Sequence, residues 1–183
     1  MKNHIELLVV EKLTADQQRD VAYLQKIAFP DVSDEEDEED FYHHKSAHIL
    51  AYLDGKLVGW AGIHETEQIF EEKRIKLGGY GICTHPNYWG KGIAGKVSQK
   101  AMDYLTNKRC EVGFLSVDFN NEVSLRLHKK HDFVMLHRKF SWTNSKGELK
   151  KDTGGMIAPI SSRELFKYIL EGKDTLYVGN GYW

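Results

Sequence analysis

The stretch "YWGKGIAGK" at residues 88–96 has the composition of a phosphate-binding loop. Gly90, Gly92 and Gly95 follow the spacing G-x-G-x-x-G of dinucleotide-binding loops, while Gly90, Gly95 and Lys96 begin the spacing of a P-loop. Glycines at the start of a helix leave consecutive backbone N–H groups exposed, and the positive end of the helix dipole attracts an anion. The chemistry predicted here is therefore the binding of a phosphorylated ligand.

Both nucleotide patterns fit their surroundings poorly. A P-loop needs Ser or Thr directly after the lysine as a magnesium ligand, and Val97 stands there. A dinucleotide site needs its first glycine in a tight turn straight after a strand, but residues 86–89 intervene, and Glu111 begins the next strand instead of ending it. A loop that only turns a strand into a helix is the structural alternative.

A third pattern matches the glycines and also the residues on either side of them. The segment "ICTHPNYWGKGIAGKVSQKAM" resembles motif A of the GNAT acyl-CoA N-acyltransferases, in which a strand is followed by V-x-P-x-x-[QR]-G-x-G-[IL]-[GA] and a helix. Trp89 replaces the usual Gln or Arg. The matching positions are Thr84, Pro86, Gly90, Gly92, Ile93 and Ala94. The resemblance implies that the loop binds the pyrophosphate of coenzyme A without a metal.

A second stretch, "NEVSLRLHKKHDF" at residues 121–133, resembles the family segment N-x-x-A-x-x-L-Y-x-K-x-G-F. Asn121, Leu127 and Phe133 align, and His128 takes the Tyr place. The resemblance implies acetyl-CoA as the acyl donor. The residues that it implies for acetyl-CoA binding are Ile82, Cys83, Thr84, Trp89, Gly90, Lys91, Gly92, Ile93, Ala94, Gly95 and Asn121.

The resemblance also implies positions for acid and base. The family's leaving-group acid is a Tyr, so His128 is the predicted proton donor; a histidine, with an ordinary pKa of about 6.5, is largely neutral at neutral pH unless a carboxylate raises that pKa. Tyr80 stands where relatives carry a basic glutamate, and it completes the predicted catalytic pair. Tyr80 is an alternative proton donor. His64, Glu65, His85 or a water held by backbone carbonyls are alternatives for the base, and each of these side chains also has a purely structural reading.

The acceptor is predicted from charge and from the carboxyl terminus. "DVSDEEDEED" at residues 31–40 carries eight acidic residues in ten, which would attract a cationic amine, with Asp34 and Glu35 as candidate contacts. The ending "TLYVGNGYW" resembles that of aminoglycoside 2′-N-acetyltransferases, whose terminal carboxylate contacts the acceptor. That resemblance implies Tyr182 and Trp183 as further acceptor contacts, although Gly181 replaces an acidic residue.

We therefore predict an N-acetyltransferase that moves acetyl from acetyl-CoA to a primary amine of a small cationic acceptor, with an aminoglycoside as the first candidate. A polyamine, an amino acid or a peptide amine is an alternative acceptor. A non-catalytic acyl-CoA-binding protein is the alternative from another class, because Tyr80 and His128 replace the family's base and acid.

The elements around these motifs predict one domain over residues 1–183, with a core at about 4–142 and a carboxyl-terminal extension at 143–183. Periodicity predicts a strand at 4–10, helices at 14–28 and up to about 107, and a hairpin around Asp54-Gly55. Further strands are predicted at 74–84, 112–119 and 133–142, with a short helix between the last two. The fold class is α/β (α+β), a mixed central sheet flanked by helices.

Composition excludes several other classes. A net charge of −2 predicts no nucleic-acid partner, and no apolar run reaches the length of a membrane span. Cys83 and Cys110 lack CxxC spacing, so we expect no metal site and no disulfide framework. These features predict a cytoplasmic protein with reduced thiols. They do not decide between a monomer and a homodimer.

Overall fold

The computed structural model describes residues 4–30, 45–181 and 183. Within those ranges the strands are Ile5–Val10 (β1), Ala47–Leu53 (β2), Lys56–Phe70 (β3), Lys73–Thr84 (β4), Val112–Ser116 (β5), Val134–Met135 (β6), Phe140–Thr143 (β7), Leu149–Asp152 (β8), Gly155–Pro159 (β9) and Leu176–Asn180 (β10). The α-helices in the same ranges are Ala15–Ala28 (α1), Ile93–Asn107 (α2), Glu122–Lys129 (α3) and Arg163–Glu171 (α4).

The strands form a mixed sheet, as predicted. Seven strands follow the order β1-β2-β3-β4-β5-β9-β6, and only the β4–β5 pair in this sheet is parallel. A second sheet has the order β10-β7-β8. Helix α2 packs on one face of the large sheet through Val97, Ala101 and Leu105, and α1 packs on the opposite face through Val21 and Leu24.

Local signals in the sequence account for the first half of the fold. Asp54 and Gly55 have φ angles of 50° and 76°, as a type I′ turn between β2 and β3 requires. Helix α1 starts at a capping box, in which the Thr14 side chain accepts from the Gln17 backbone and the Gln17 side chain accepts from Thr14. The hairpin, the first helix and the end of α2 at Asn107 are therefore as predicted.

One prediction about the second half was wrong. The single strand expected at 133–142 is two strands, β6 and β7, which belong to different sheets. Arg138 lies between them and donates to the backbone carbonyls of Ile169 and Gly172 at the end of α4. These hydrogen bonds hold the connection between the two sheets against α4. Residues 143–183 contribute to the large sheet, because β9 lies between β5 and β6.

The parallel pair β4–β5 separates almost as soon as it forms. Only Leu77 with Val112 and Gly78 with Gly113 are paired, although β4 continues to Thr84. At the next position a Cβ on Gly79 would lie 1.9 Å from the Phe114 carbonyl oxygen and 2.7 Å from Cε3 of Trp183. A gap therefore opens between the two strands beyond a point where only glycine fits.

Replacing Gly79 by alanine is expected to destabilise the fold by more than about 2 kcal/mol, because the obstructing atom belongs to the backbone. Gly95→Ala is the matched control, since its Cβ would meet nothing within 4 Å at the start of α2 and alanine favours a helix. Urea unfolding of both variants measures the difference. A Gly79→Ala protein as stable as the parent would contradict this account of the strand separation.

Candidate active site

The glycine loop connects the end of β4 to the start of α2. A 3₁₀ turn at Pro86–Tyr88 follows Thr84, and then Gly90 and Gly92 adopt left-handed φ angles of 78° and 75°. These conformations favour glycine. A Cβ at either position would meet nothing within 4 Å, so the loop leaves open space where it enters the helix.

The first turn of α2 presents backbone donors to that space. Gly92, the residue that precedes the helix, makes no side-chain cap, and the Lys96 N–H is bonded to the Gly92 carbonyl at 3.2 Å. The N–H groups of Ile93, Ala94 and Gly95 therefore have no acceptor within the helix. Such a cradle of unpaired N–H groups at the start of a helix is able to bind an anionic ligand.

A groove of about 420 Å³ extends the cradle along α2. Its lining includes Lys96 and Lys100, and the Lys91 ammonium lies 4.7 Å from the centre of the Tyr88 ring beside the loop. Trp89 is 66% exposed, and its indole N–H donates to the Thr84 carbonyl at 3.2 Å. The loop thus combines backbone donors and cationic side chains with a fixed aromatic surface.

The two predicted catalytic residues meet on the α2 side of the sheet. Tyr80 Oη on β4 lies 2.5 Å from Ser98 Oγ on α2 and 3.3 Å from His128 Nδ1 on α3. All three side chains are buried. Ser98 was not predicted from the sequence, because its contact with Tyr80 depends on how β4, α2 and α3 pack together.

Burial determines the protonation of this buried trio, Tyr80, Ser98 and His128. Desolvation raises the pKa of Tyr80 to about 12, and the hydrogen bond from Ser98 opposes that rise. Desolvation, with a smaller repulsion from His131, lowers the pKa of His128 to about 4. At neutral pH the trio therefore contains a protonated phenol and a neutral imidazole, without a net charge.

The residues of β4 beyond the pairing with β5 divide between the two faces. Ile82 packs on the α2 side, whereas Cys83 packs with Leu13 and Leu24 on the α1 side. Burial raises the pKa of the Cys83 thiol to about 12. A nucleophilic thiolate at Cys83 is therefore disfavoured at neutral pH.

On the α1 side of the sheet, Trp183 covers the point where β4 and β5 separate. Its indole stacks on His64 with ring centres 4.9 Å apart and meets Phe114 edge-on at 5.8 Å. The indole Nε1 is buried and has no hydrogen-bond partner among the described residues. Lys45 reaches the same place, where its Nζ contacts Nε2 of His64.

A polar groove of about 310 Å³ opens beside this cluster, between β3 and β10. His64, Thr66 and Gln68 line it from β3, and Tyr177, Asn180 and Trp183 line it from the carboxyl-terminal segment. The terminal tryptophan predicted to contact an acceptor therefore lies in the wall of a groove.

The remaining candidates have structural partners or lie elsewhere. Asn121 caps α3 by accepting from the Ser124 N–H at 3.0 Å, and His85 accepts from the Asn87 N–H in the 3₁₀ turn. Glu65 pairs with Lys76 at 3.3 Å. The predicted contacts Asp34, Glu35 and Tyr182 lie outside the described residues. No helix in the described ranges is long and apolar enough to cross a membrane.

Comparison with known families identifies the class of protein to which this fold belongs. The GNAT acetyltransferase family model matches residues 13–133, so the chain belongs to that family. N-alpha-acetyltransferase 30 of Saccharomyces cerevisiae is 23% identical over 105 residues. That match covers 55% of this chain and 57% of the yeast protein.

Solved structures share the fold. The ribosomal-protein-S18-alanine N-acetyltransferase of Escherichia coli matches 85% of this chain and 95% of its own with a TM-score of 0.60 at 14% identity. An aminoglycoside N-acetyltransferase in complex with CoA matches 71% of this chain and 88% of its own, with a TM-score of 0.54 at 18% identity. At these identities the likeness is one of fold.

Burial of His128 predicts a loss of stability in acid. Its pKa of about 4 in the folded chain lies below the ordinary 6.5, so the unfolded chain binds more protons between those values. The free energy of unfolding should be constant above pH 6.5 and fall below it, by up to about 1.4 kcal/mol per pH unit for this histidine. Urea unfolding from pH 7.5 to 4.5 measures this dependence.

His128→Gln is the matched variant for that pH series and should flatten the slope. The pKa of His48, which burial also lowers to about 4, keeps its own contribution in both proteins. Equal slopes for parent and variant would show that His128 is not the group that responds.

Proposed function

We propose that the protein is an N-acetyltransferase that moves acetyl from acetyl-CoA to a primary amine of a small cationic acceptor. The observation that carries the proposal is the cradle of backbone N–H groups at residues 93–95, placed at the end of a strand that has parted from its parallel neighbour. Membership of the GNAT acetyltransferase family supports it. Acetyl-CoA is the donor substrate that this arrangement suits.

In this proposal the pyrophosphate of the donor binds at the first turn of α2, and Lys91 and Lys96 add positive charge beside it. The pantetheine arm then extends along Ile82, Cys83 and Thr84 into the gap beyond Gly78. The backbone of β4 in that gap is free of β5 and offers N–H groups to the thioester carbonyl.

Tyr80 is the proposed proton donor to the departing thiolate, and His128 is its relay. The phenol keeps its proton at neutral pH, since its pKa is about 12, and it faces the α2 side of the sheet that carries the loop. The neutral imidazole of His128 lies 3.3 Å from Tyr80 Oη and is able to return a proton to it.

The acceptor is proposed to enter from the α1 side, into the polar groove beside His64 and Trp183. The acidic segment at residues 31–40 lies between α1 and β2 in sequence and supports a cationic amine. An aminoglycoside is the first candidate, and one structural neighbour is an aminoglycoside N-acetyltransferase. The names of two other relatives specify an alpha-amino group and a protein alanine, which makes a peptide amine the second candidate.

The proposal is tested by measuring thiol release from acetyl-CoA in the presence of an added amine. The amines are aminoglycosides, polyamines, amino acids and short peptides with free amino termini. We expect saturable release with one class of amine. Binding of coenzyme A by calorimetry without release from any amine would favour the non-catalytic acyl-CoA-binding alternative. Failure to bind coenzyme A would contradict both.

Gly95→Leu should weaken donor binding without unfolding the protein. The glycine Cβ position faces open space, so the folded chain tolerates a side chain that would occupy the proposed phosphate position. We expect the Kd for coenzyme A to rise at least about 30-fold, or about 2 kcal/mol. Asn107→Leu at the other end of α2 is the matched control, and an equal loss of affinity in both variants would argue against the loop as the binding site.

Tyr80→Phe should lower kcat at least about tenfold and leave the Kd for coenzyme A unchanged, because only the hydroxyl is lost. Tyr104→Phe is the matched control on α2, where the hydroxyl interacts with Lys108. Single-turnover acetyl transfer measures the chemical step. An unchanged rate for Tyr80→Phe would remove Tyr80 from the proposed proton path.

A further inference from the structure

Lys45 lies on the sheet face from which we propose that the acceptor enters. It lies two residues before the start of β2, and its stem crosses Gly62 on β3, where a Cβ would lie 2.7 Å from Lys45 Cε. Gly62 pairs with Gly81 on β4, which belongs to the part of β4 that has left β5. The stem is therefore one strand away from the gap.

The Lys45 amine ends beside a group able to exchange its proton. Lys45 Nζ contacts His64 Nε2, and His64 is 2% exposed and held by its stacking on Trp183. His64 pairs with Gly79, the position at which the gap opens. Directly opposed residues of antiparallel strands share a face and lie about 5 Å apart. The Lys45–His64 contact is thus beside the proposed position of the thioester.

We propose that Lys45 is a site of intramolecular acetylation from acetyl-CoA bound at the glycine loop. The inference rests on the proposed function and adds an acceptor within the chain itself. His64 is the base in this step, because its Nε2 contacts the amine beside the gap and takes its proton.

The reaction balances in three transfers. The Lys45 ammonium first gives a proton to His64 Nε2, which passes it to solvent. The neutral amine then attacks the acetyl carbonyl, so that a carbon–nitrogen bond forms as the carbon–sulfur bond breaks. The second proton of the nitrogen ends on the thiolate of coenzyme A. The products are an amide at Lys45, coenzyme A with a free thiol, and one proton in solution.

The test is peptide mass spectrometry of the full chain after incubation with acetyl-CoA and no added amine. Lys56, an exposed lysine at the start of β3, reports the background chemical reaction. We expect Lys45 to be acetylated at least about tenfold faster than Lys56, because the proposed site holds its amine beside the donor. Equal rates at the two lysines would overturn the proposal.

Three further measurements separate this step from transfer between molecules and from chemical acetylation, and test the part of His64. Dilution of the protein by about tenfold should leave the first-order rate at Lys45 unchanged, and a proportional fall would overturn the intramolecular route. Gly95→Leu should reduce the rate of acetylation at Lys45 to the rate at Lys56. His64→Gln should slow acetylation at Lys45 while the Kd for coenzyme A stays the same.

The outcome is distinguishable from failure of the proposed function. Thiol release with an external amine, together with background labelling at Lys45, would leave the acetyltransferase intact and overturn this inference alone. Absence of coenzyme A binding would overturn the proposed function first, and with it the inference.

Discussion

The parting of β4 from β5 after Gly78 is the constraint on which the rest of the site depends. Two paired positions anchor the parallel strands, and a close contact between Gly79 and the Phe114 carbonyl oxygen marks the end of their pairing. Beyond that contact β4 keeps its bonds to β3 but has an open edge towards β5. An extended ligand is able to use that edge as a strand would.

The chain places different chemistry on the two sides of this gap. The α2 side holds the buried trio of Tyr80, Ser98 and His128, which burial keeps uncharged at neutral pH. The α1 side holds Lys45, His64 and Trp183 beside a polar groove. In the proposed reaction the departing sulfur receives its proton from the α2 side, and the amine enters from the α1 side.

Features with a local cause could be predicted from the sequence, and features with a distant cause could not. Asp54-Gly55 determines a hairpin, and the glycines of the loop determine a helix start with open space around its backbone N–H groups, because each feature depends on neighbouring residues. The division of residues 133–142 between two sheets depends on carbonyls more than thirty positions from Arg138. The place of Trp183 against Gly79, and that of Ser98 against Tyr80, likewise required the folded chain.

Amide hydrogen exchange with and without acetyl-CoA tests the central claim most directly, because it reports on the backbone groups proposed to bind the donor. The account predicts that acetyl-CoA slows exchange at residues 90–95 and along residues 80–84 of β4, with little change in β8. Unchanged exchange in both segments, at acetyl-CoA concentrations that saturate the protein, would contradict the claim that the loop and the parted strand form the donor site.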